Sequence, residues 1–282
     1  MGTNKMLVNF FKMNGLGNDF VIIEDYADII KLNEDQIREL ANRKTGIGFD
    51  QLVILRSSLL HPCRMEIFNA DGSGSNVCIN ATRCVAGLLM ERFGMMYIEF
   101  DSAAGLIKAF KLSDKMISLI VGRASFEPEL IPVKEGIDNM AIDFAIKNLP
   151  VALPKGVALT VGNPHVIFFT DDLEKYNLAE IGPIIENHEY FPARANVSFA
   201  RVIAPDKIIV KTWERGTGET LACGSAAAAT SAAAVKLELS NSRVFTIFMP
   251  GGELSVEVLL EYYLKVSGAY EISFSGLVEI KC

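Results

Sequence analysis

Two cysteines occupy matching places in an internal repeat, which makes them the first candidates for chemistry. The stretches Gly17-Asn18-Asp19-Phe20-Val21-Ile22-Ile23 and Gly162-Asn163-Pro164-His165-Val166-Ile167-Phe168 are near copies, offset by 145 residues. The same offset carries Cys78 onto Cys223, Gln51 onto Asn196, and Phe68-Asn69 onto Trp213-Glu214. Each matched cysteine stands at or just before the start of a segment that reads as a helix. Unpaired N–H groups and the positive end of the helix dipole favour a thiolate there, lowering the thiol pKa from about 8.5. The same N–H groups can hold a carboxylate. A reactive thiol beside a carboxylate site is the chemistry these positions offer.

The remaining candidates gather around this pair. Cysteine is commonly a small core hydrophobe, and Cys84, on the helix after Cys78, and Cys63, beside Pro62, read that way. Cys282 is terminal and reads as incidental. Polar and glycine-containing flanks, Gly72-Ser73-Gly74-Ser75-Asn76-Val77 and Gly216-Thr217-Gly218-Glu219-Thr220, argue against burial of Cys78 and Cys223. His165, taken as the repeat counterpart of Asp19, is a further candidate. Trp213-Glu214-Arg215-Gly216 reads either as an exposed ion pair of little worth or as an arginine fork suited to a carboxylate. Asn18, Asn69, Asn163 and Asn196 could each serve a turn. At repeat-related positions they read as the polar lining of a ligand pocket.

Positioning these residues requires a defined set of elements. Asn33 is an N-cap and Gln36 completes a capping box. Ile37, Leu40 and Ala41 form the helix's apolar stripe, and Gly46 follows its end. Short β-rich runs are expected at 7–11, 20–24, 52–55, 65–68, 97–100, 106–112 and 117–121. Residues 80–93 read as a helix with Val85, Leu88, Leu89 and Phe93 toward one face. Residues 225–237 form an alanine-rich helix whose small side chains permit close packing. Two similarly folded halves are expected, facing each other across a pseudo-two-fold axis with Cys78 and Cys223 on opposite walls of one cleft.

Composition removes several classes of function. The 282 residues are half hydrophobic and 22% charged, enough for one large or two modest domains. A formal charge of −7 argues against a nucleic-acid binder, which needs a basic face. No run of eighteen apolar residues predicts a membrane span. The first residues, Met1-Gly2-Thr3-Asn4-Lys5, lack the apolar core of a signal peptide, and Met6 breaks the myristoylation pattern. Five cysteines, an odd count in a chain this long, read as reduced thiols of a cytoplasmic protein. His61, His165 and His188 are not at ligand spacing from a cysteine pair, so no metal site is expected. The Gly-x-Gly stretches at 15–17, 46–48, 72–74 and 216–218 lack a dinucleotide loop's third glycine, and no P-loop is present. The chemistry is expected to be done by side chains.

Five motifs, in order and spanning nearly the whole chain, then point to one family. Lys12-Met13-Asn14-Gly15-Leu16-Gly17-Asn18-Asp19-Phe20, Gly48-Phe49-Asp50-Gln51, Phe68-Asn69-Ala70-Asp71-Gly72-Ser73, Gly162-Asn163-Pro164-His165 and Trp213-Glu214-Arg215-Gly216-Thr217-Gly218-Glu219-Thr220-Leu221-Ala222-Cys223-Gly224-Ser225 resemble the diaminopimelate epimerases. The resemblance implies an α+β fold of two pseudo-symmetric α/β halves, each a strand-rich barrel-like sheet around a central helix, with the active site in the cleft between them. It implies an N-terminal half of residues 1–124 plus a returning strand at 270–282, and a C-terminal half of 125–269.

The resemblance also implies an isomerase that inverts one α-carbon of LL-2,6-diaminoheptanedioate to the meso isomer, without metal, pyridoxal phosphate or other cofactor. The product feeds lysine and peptidoglycan synthesis. Cys78 and Cys223 become the two acid/base residues, with His165 and Glu214 tuning them. Helix N-termini at Ile79-Asn80 and Gly224-Ser225 would hold the reacting α-carboxylate. Arg215, Asn69, Asn163 and Asn196 would grip the distal carboxylate, Glu214 the distal ammonium, and Asn18 and Gln51 would line the pocket. The implied partners are the small diamino diacid and a second copy in a homodimer, with no nucleic acid and no membrane. One departure stands out: Cys78-Ile79-Asn80-Ala81 replaces the family's usual Cys-Gly-Asn-Gly, placing a side chain where bare backbone approaches the ligand and where φ > 0 is disfavoured. Ala226 likewise follows Cys223-Gly224-Ser225 where glycine is usual. The competing readings are another racemase or isomerase of the same two-half fold, and a catalytically impaired binding or thiol-switch relative.

Overall fold

A computed structural model describes residues 5–144, 146, 149 and 151–281. Met1–Asn4 and Cys282 therefore lie outside the described residues. The chain divides into two compact units, Met1–Leu119 with Gly268–Cys282, and Ile120–Ser267.

The first unit begins with a long hairpin. β1 (Lys5–Gly15) and β2 (Asn18–Asp25) pair antiparallel, Gly15 opposite Asn18. The two turn residues between them, Leu16 and Gly17, both have positive φ, 60° and 80°. A two-residue turn of this kind matches strand twist, and it sets Asn18 at the mouth of β2. α1 (Glu34–Ala41) then crosses over, so that β3 (Gln51–Arg56) lies parallel to β2. Its start carries the full Asn33/Gln36 capping box, and Ile37, Leu40 and Ala41 are its buried face. β4 (Arg64–Asn69) and β5 (Gly74–Ser75) follow, then α2 (Ile79–Phe93), β6 (Tyr97–Ser102), β7 (Gly105–Ser113) and β8 (Met116–Arg123).

Residues Ile79 to Met90 of α2 are all buried, polar ones included. A helix buried all round belongs inside a sheet rather than on its surface, and α2 packs against β1, β2, β6 and β7. Gly87 admits the ring of Tyr270, since a Cβ there would lie only 2.3 Å from it.

The second unit repeats the plan. Its elements are β9 (Gly156–Thr160), β10 (Pro164–Phe169), α3 (Leu178–Glu186), β11 (Asn196–Ala204), β12 (Lys207–Glu214), β13 (Gly218–Thr220), α4 (Gly224–Lys236), β14 (Val244–Met249), β15 (Gly252–Val258) and β16 (Tyr263–Ala269). Finally β17 (Glu271–Lys281) returns to the first unit and pairs antiparallel with β1. The alanine run of α4 is almost wholly buried.

Strand register carries the repeat further than residue identity does. Phe20 sits opposite Gln51 and Leu52 opposite Phe68; His165 sits opposite Asn196 and Val197 opposite Trp213, each 145 residues on. Past the central helices the offset becomes 147, with Tyr97 opposite Phe110 and Val244 opposite Glu257. Two extra residues therefore enter the second unit after its cysteine. The register also corrects one expectation: the counterpart of His165 is Phe20, and Pro164 takes the place of Asp19.

Candidate active site

In the first unit, Cys78 is the N-cap residue of α2. Its backbone is extended, and its sulfur accepts from Ala81 N at 3.5 Å, so the side chain does part of the capping. Asn18 Oδ1 lies 3.8 Å from the same sulfur. The Asn18 amide is aimed from behind, because its Nδ2 donates to Asp50 Oδ2 at 2.7 Å. Asp50 is tied to Arg43, and Arg43 forks onto Asp19, which also receives Lys12. These two cations hold the Asp19 carboxyl far below the usual carboxylate range against the opposing effect of burial. Gln51 and Asn69 face each other across β3 and β4, joined by a 2.9 Å hydrogen bond from Gln51 Nε2. Asn69 in turn donates to Ser73 Oγ.

In the second unit, Cys223 is the N-cap residue of α4 and only 5% exposed. Its sulfur lies 3.3 Å from Ser225 Oγ, and Asn163 Nδ2 approaches that hydroxyl at 3.4 Å. His165 Nε2 meets Asn163 Oδ1 at 3.1 Å. Glu214, at the end of β12, accepts from Thr220 Oγ1 at 2.6 Å and also hydrogen-bonds Cys223. Asn196 links two strands and a loop: its Nδ2 donates to Pro164 O, and its Oδ1 accepts from Arg215 N.

Cys223 departs from the sequence expectation. It is buried despite its polar flanks, and its pKa is raised well above the ordinary thiol value. Burial is the main cause and the Glu214 carboxylate the next; Ser225 and the Ala226 N–H pull the other way without prevailing. Burial likewise raises Glu214. Cys63 and Cys84 are fully buried, their thiols pushed up to about 12, mainly by desolvation.

Burial also pushes His165 down to about 3, with the Arg215 charge adding to the effect. His165 is therefore neutral at working pH and serves as a hydrogen-bonding ring. In the unfolded chain it regains a pKa near 6.5. Unfolded protein then binds the extra proton between pH 6.5 and about 3, so stability falls as pH drops through that window. In urea titrations across this range, His165→Gln should flatten the dependence; an unchanged slope would contradict the assignment.

Of the fourteen site residues expected from the sequence, six stand in the first unit and eight in the second; hydrogen bonds join Cys78 with Asn18, Gln51 with Asn69, His165 with Asn163, and Asn163 with Ser225. Ile79 opens α2 as a buried residue without positive φ, and Ala81 continues the helix, so neither replacement of glycine strains the backbone. Residues behind the site were missed. Glu186, at the end of α3, is 4% exposed and accepts from Trp213 Nε1 at 2.7 Å and Gly216 N at 2.9 Å, with Arg194 completing its set. It thereby holds Trp213 and Gly216, the residues on either side of Glu214 and Arg215. Trp213 also covers Gly182, where a Cβ would lie 2.5 Å from its ring. Among the described residues, no group of three or more His, Cys, Asp or Glu is placed to hold a metal ion.

Residues 10–126 and 157–264 match the family model described as diaminopimelate epimerase. The chain belongs to the diaminopimelate epimerase family. A diaminopimelate epimerase of Rhodospirillum centenum is 38% identical over 274 residues, covering 96% of this chain and 92% of the relative. One of Pelagibacter ubique is 42% identical over 231 residues, 81% and 84% of the two chains. Among solved structures, a PhzF-family phenazine biosynthesis protein of Bacillus anthracis aligns with a TM-score of 0.70 at 16% identity, covering 97% of this chain and 99% of that one. A hydroxyproline epimerase of Agrobacterium vitis aligns with a TM-score of 0.70 at 13% identity, covering 98% and 92%. At such identities these likenesses speak for the epimerase family's α+β fold alone. No helix among the described residues is long and apolar enough to cross a membrane.

Proposed function

We propose that this member of the epimerase family converts LL-2,6-diaminoheptanedioate to the meso isomer, using Cys78 and Cys223 as a two-base pair. The observation that carries the reading is the equivalent placement of both cysteines, each the N-cap of a buried central helix in a repeated unit. Inversion needs two bases, because a single base returns the proton to the face it left. One sulfur, as thiolate, takes the α-proton; the other, as thiol, delivers a proton to the opposite face. The pair loses no net proton, so the roles simply exchange for the other isomer. Burial and Glu214 favour Cys223 as the thiol at rest.

An amino-acid α-proton is weakly acidic, so charge developing on the carboxylate must be stabilised by donors already aimed at it. The N–H groups of the first turns of α2 and α4, near Ile79-Asn80 and Gly224-Ser225, point out of the helix ends and fit this task. Arg215 with Asn69, Asn163 and Asn196 takes the distal carboxylate, and Glu214 the distal ammonium; Asn18 and Gln51 line the first unit's share. A cytoplasmic homodimer belongs to the same reading and is checked by sedimentation of the purified protein.

The test is incubation of reduced protein with LL-diaminoheptanedioate in heavy water, followed by NMR. Deuterium should enter the α-position as meso product accumulates. Folded, reduced protein that gives neither exchange nor product would sink the proposal.

A further inference from the structure

Arg83 stands on α2, five residues after Cys78, and is completely buried. Its Nη1 donates to Asn80 Oδ1 at 2.9 Å, whereas Nε and Nη2 have no partner among the described residues. Gly15 leaves room for the guanidinium, since a Cβ there would sit 3.3 Å from Nη2. A buried charge with a single neutral partner is costly, and arginine does not relieve that cost by losing its proton. No carboxylate among the described residues pairs with it. The acidic groups that interact with its charge are Cys84 and Cys78. Cys84, pushed up to about 12, stays a neutral thiol at working pH. Cys78 is left as the group able to carry the balancing negative charge.

The repeat sharpens the point. At the matching place in the second unit stands Ala228, with no charge, and opposite the neutral Asn69 of the first unit the second has Glu214. One cysteine therefore has a buried cation on its helix and the other has a carboxylate against its sulfur. Asp50 and Asp19, the carboxylates behind Asn18, are already neutralised by Arg43 and Lys12. The Asn18 oxygen, at 3.8 Å, is only a weak acceptor for a thiol proton.

We propose that Arg83 is a positioning residue of the first half-site, fixing the Asn80 side chain and acting as the buried counter-charge that holds Cys78 as a thiolate before substrate arrives. This rests on the two-thiol reading above, and it breaks the symmetry of the pair. Cys78 becomes the resting base and Cys223 the resting acid.

The test follows alkylation of Cys78 by iodoacetamide against pH in substrate-free protein, with the site read by peptide mass spectrometry. The wild-type midpoint should lie at least one pH unit below the 8.5 of a free thiol. Arg83→Met should raise the midpoint by about one unit or more and lower kcat/KM about tenfold, with folding checked by near-UV circular dichroism. Arg83→Lys, which keeps the charge but not the fork, should hold the midpoint within about half a unit of wild type. A wild-type midpoint at or above 8.5 overturns the proposal, as does a folded Arg83→Met with an unshifted midpoint. If Arg83→Met does not fold, an Arg83→Lys midpoint at the free-thiol value overturns it equally. Alkylation needs no turnover, so loss of the epimerase reading alone would show as these midpoints without any meso product.

Discussion

Cys78→Ala and Cys223→Ala should each lower net conversion of LL- to meso-diaminoheptanedioate by about 10³-fold or more, at the upper end of what one positioned acid or base contributes. Under the proposed two-base mechanism the loss is large because each sulfur serves one face of the α-carbon and neither can serve both. The variants should not be equivalent in exchange. Each keeps one thiol, so α-proton exchange with heavy water should persist, slowly, in the isomer whose proton faces that thiol and disappear in the other. Cys84→Ala should retain activity, since its sulfur is buried in the helix packing with its proton held. NMR of both isomers with the three purified variants reads all of this in one series. Conversion above a tenth of wild type in either site variant would remove that cysteine from the acid/base pair.

Arg215→Met should cost about 10²-fold or more in kcat/KM for the diamino diacid, mostly through KM. Truncating one side of a desolvated charge pair costs about 2–5 kcal/mol, much of it from the charge left unpaired. Arg215 is suited to that role because its backbone is held on both sides. Its own N–H donates to Asn196 Oδ1, and the next N–H, of Gly216, donates to the buried Glu186. Its Nη1 rests on Ala193 O at 3.0 Å. Arg215→Lys keeps a charge without the planar fork and should recover only part of the loss. A monocarboxylate analogue lacking the distal acid should be a poor substrate for wild type, with the gap largely closed in Arg215→Met. A KM unchanged by the substitution would place the distal carboxylate elsewhere. The same comparison separates this enzyme from a racemase of monocarboxylic amino acids, which has no use for a distal arginine.

Local signals in the sequence were read well where the physics is local. The Asn33/Gln36 capping box forms as read, because both bonds lie within one turn of chain. The helices after Cys78 and Cys223 begin one residue earlier than their apolar pattern indicates, at Ile79 and Gly224, since the cysteines themselves are the caps. The offset of 145 extends from a few matched residues to whole strand pairings, and its change to 147 beyond the helices became visible only through register.

Site electrostatics was less legible. Polar flanks spoke for an accessible Cys223, yet the folded chain buries it against Glu214 and raises its pKa. Glu186 gave no sequence signal at all, being one acidic residue at the end of an apolar helix. Arg83 gave no sequence signal either, being one basic residue inside a helix whose burial is set by the strands packed on it.

Residue types and short spacings were enough to mark the matched cysteines, the helices that follow them, the repeat and the family. Tertiary structure alone decided what surrounds each sulfur. A charge near a thiol acts according to depth and distance, and both are set by strands and helices far apart in the chain. Glu214 comes to Cys223 from the end of β12, and strands covering α2 bury Arg83 with its Nε and Nη2 without a partner among the described residues.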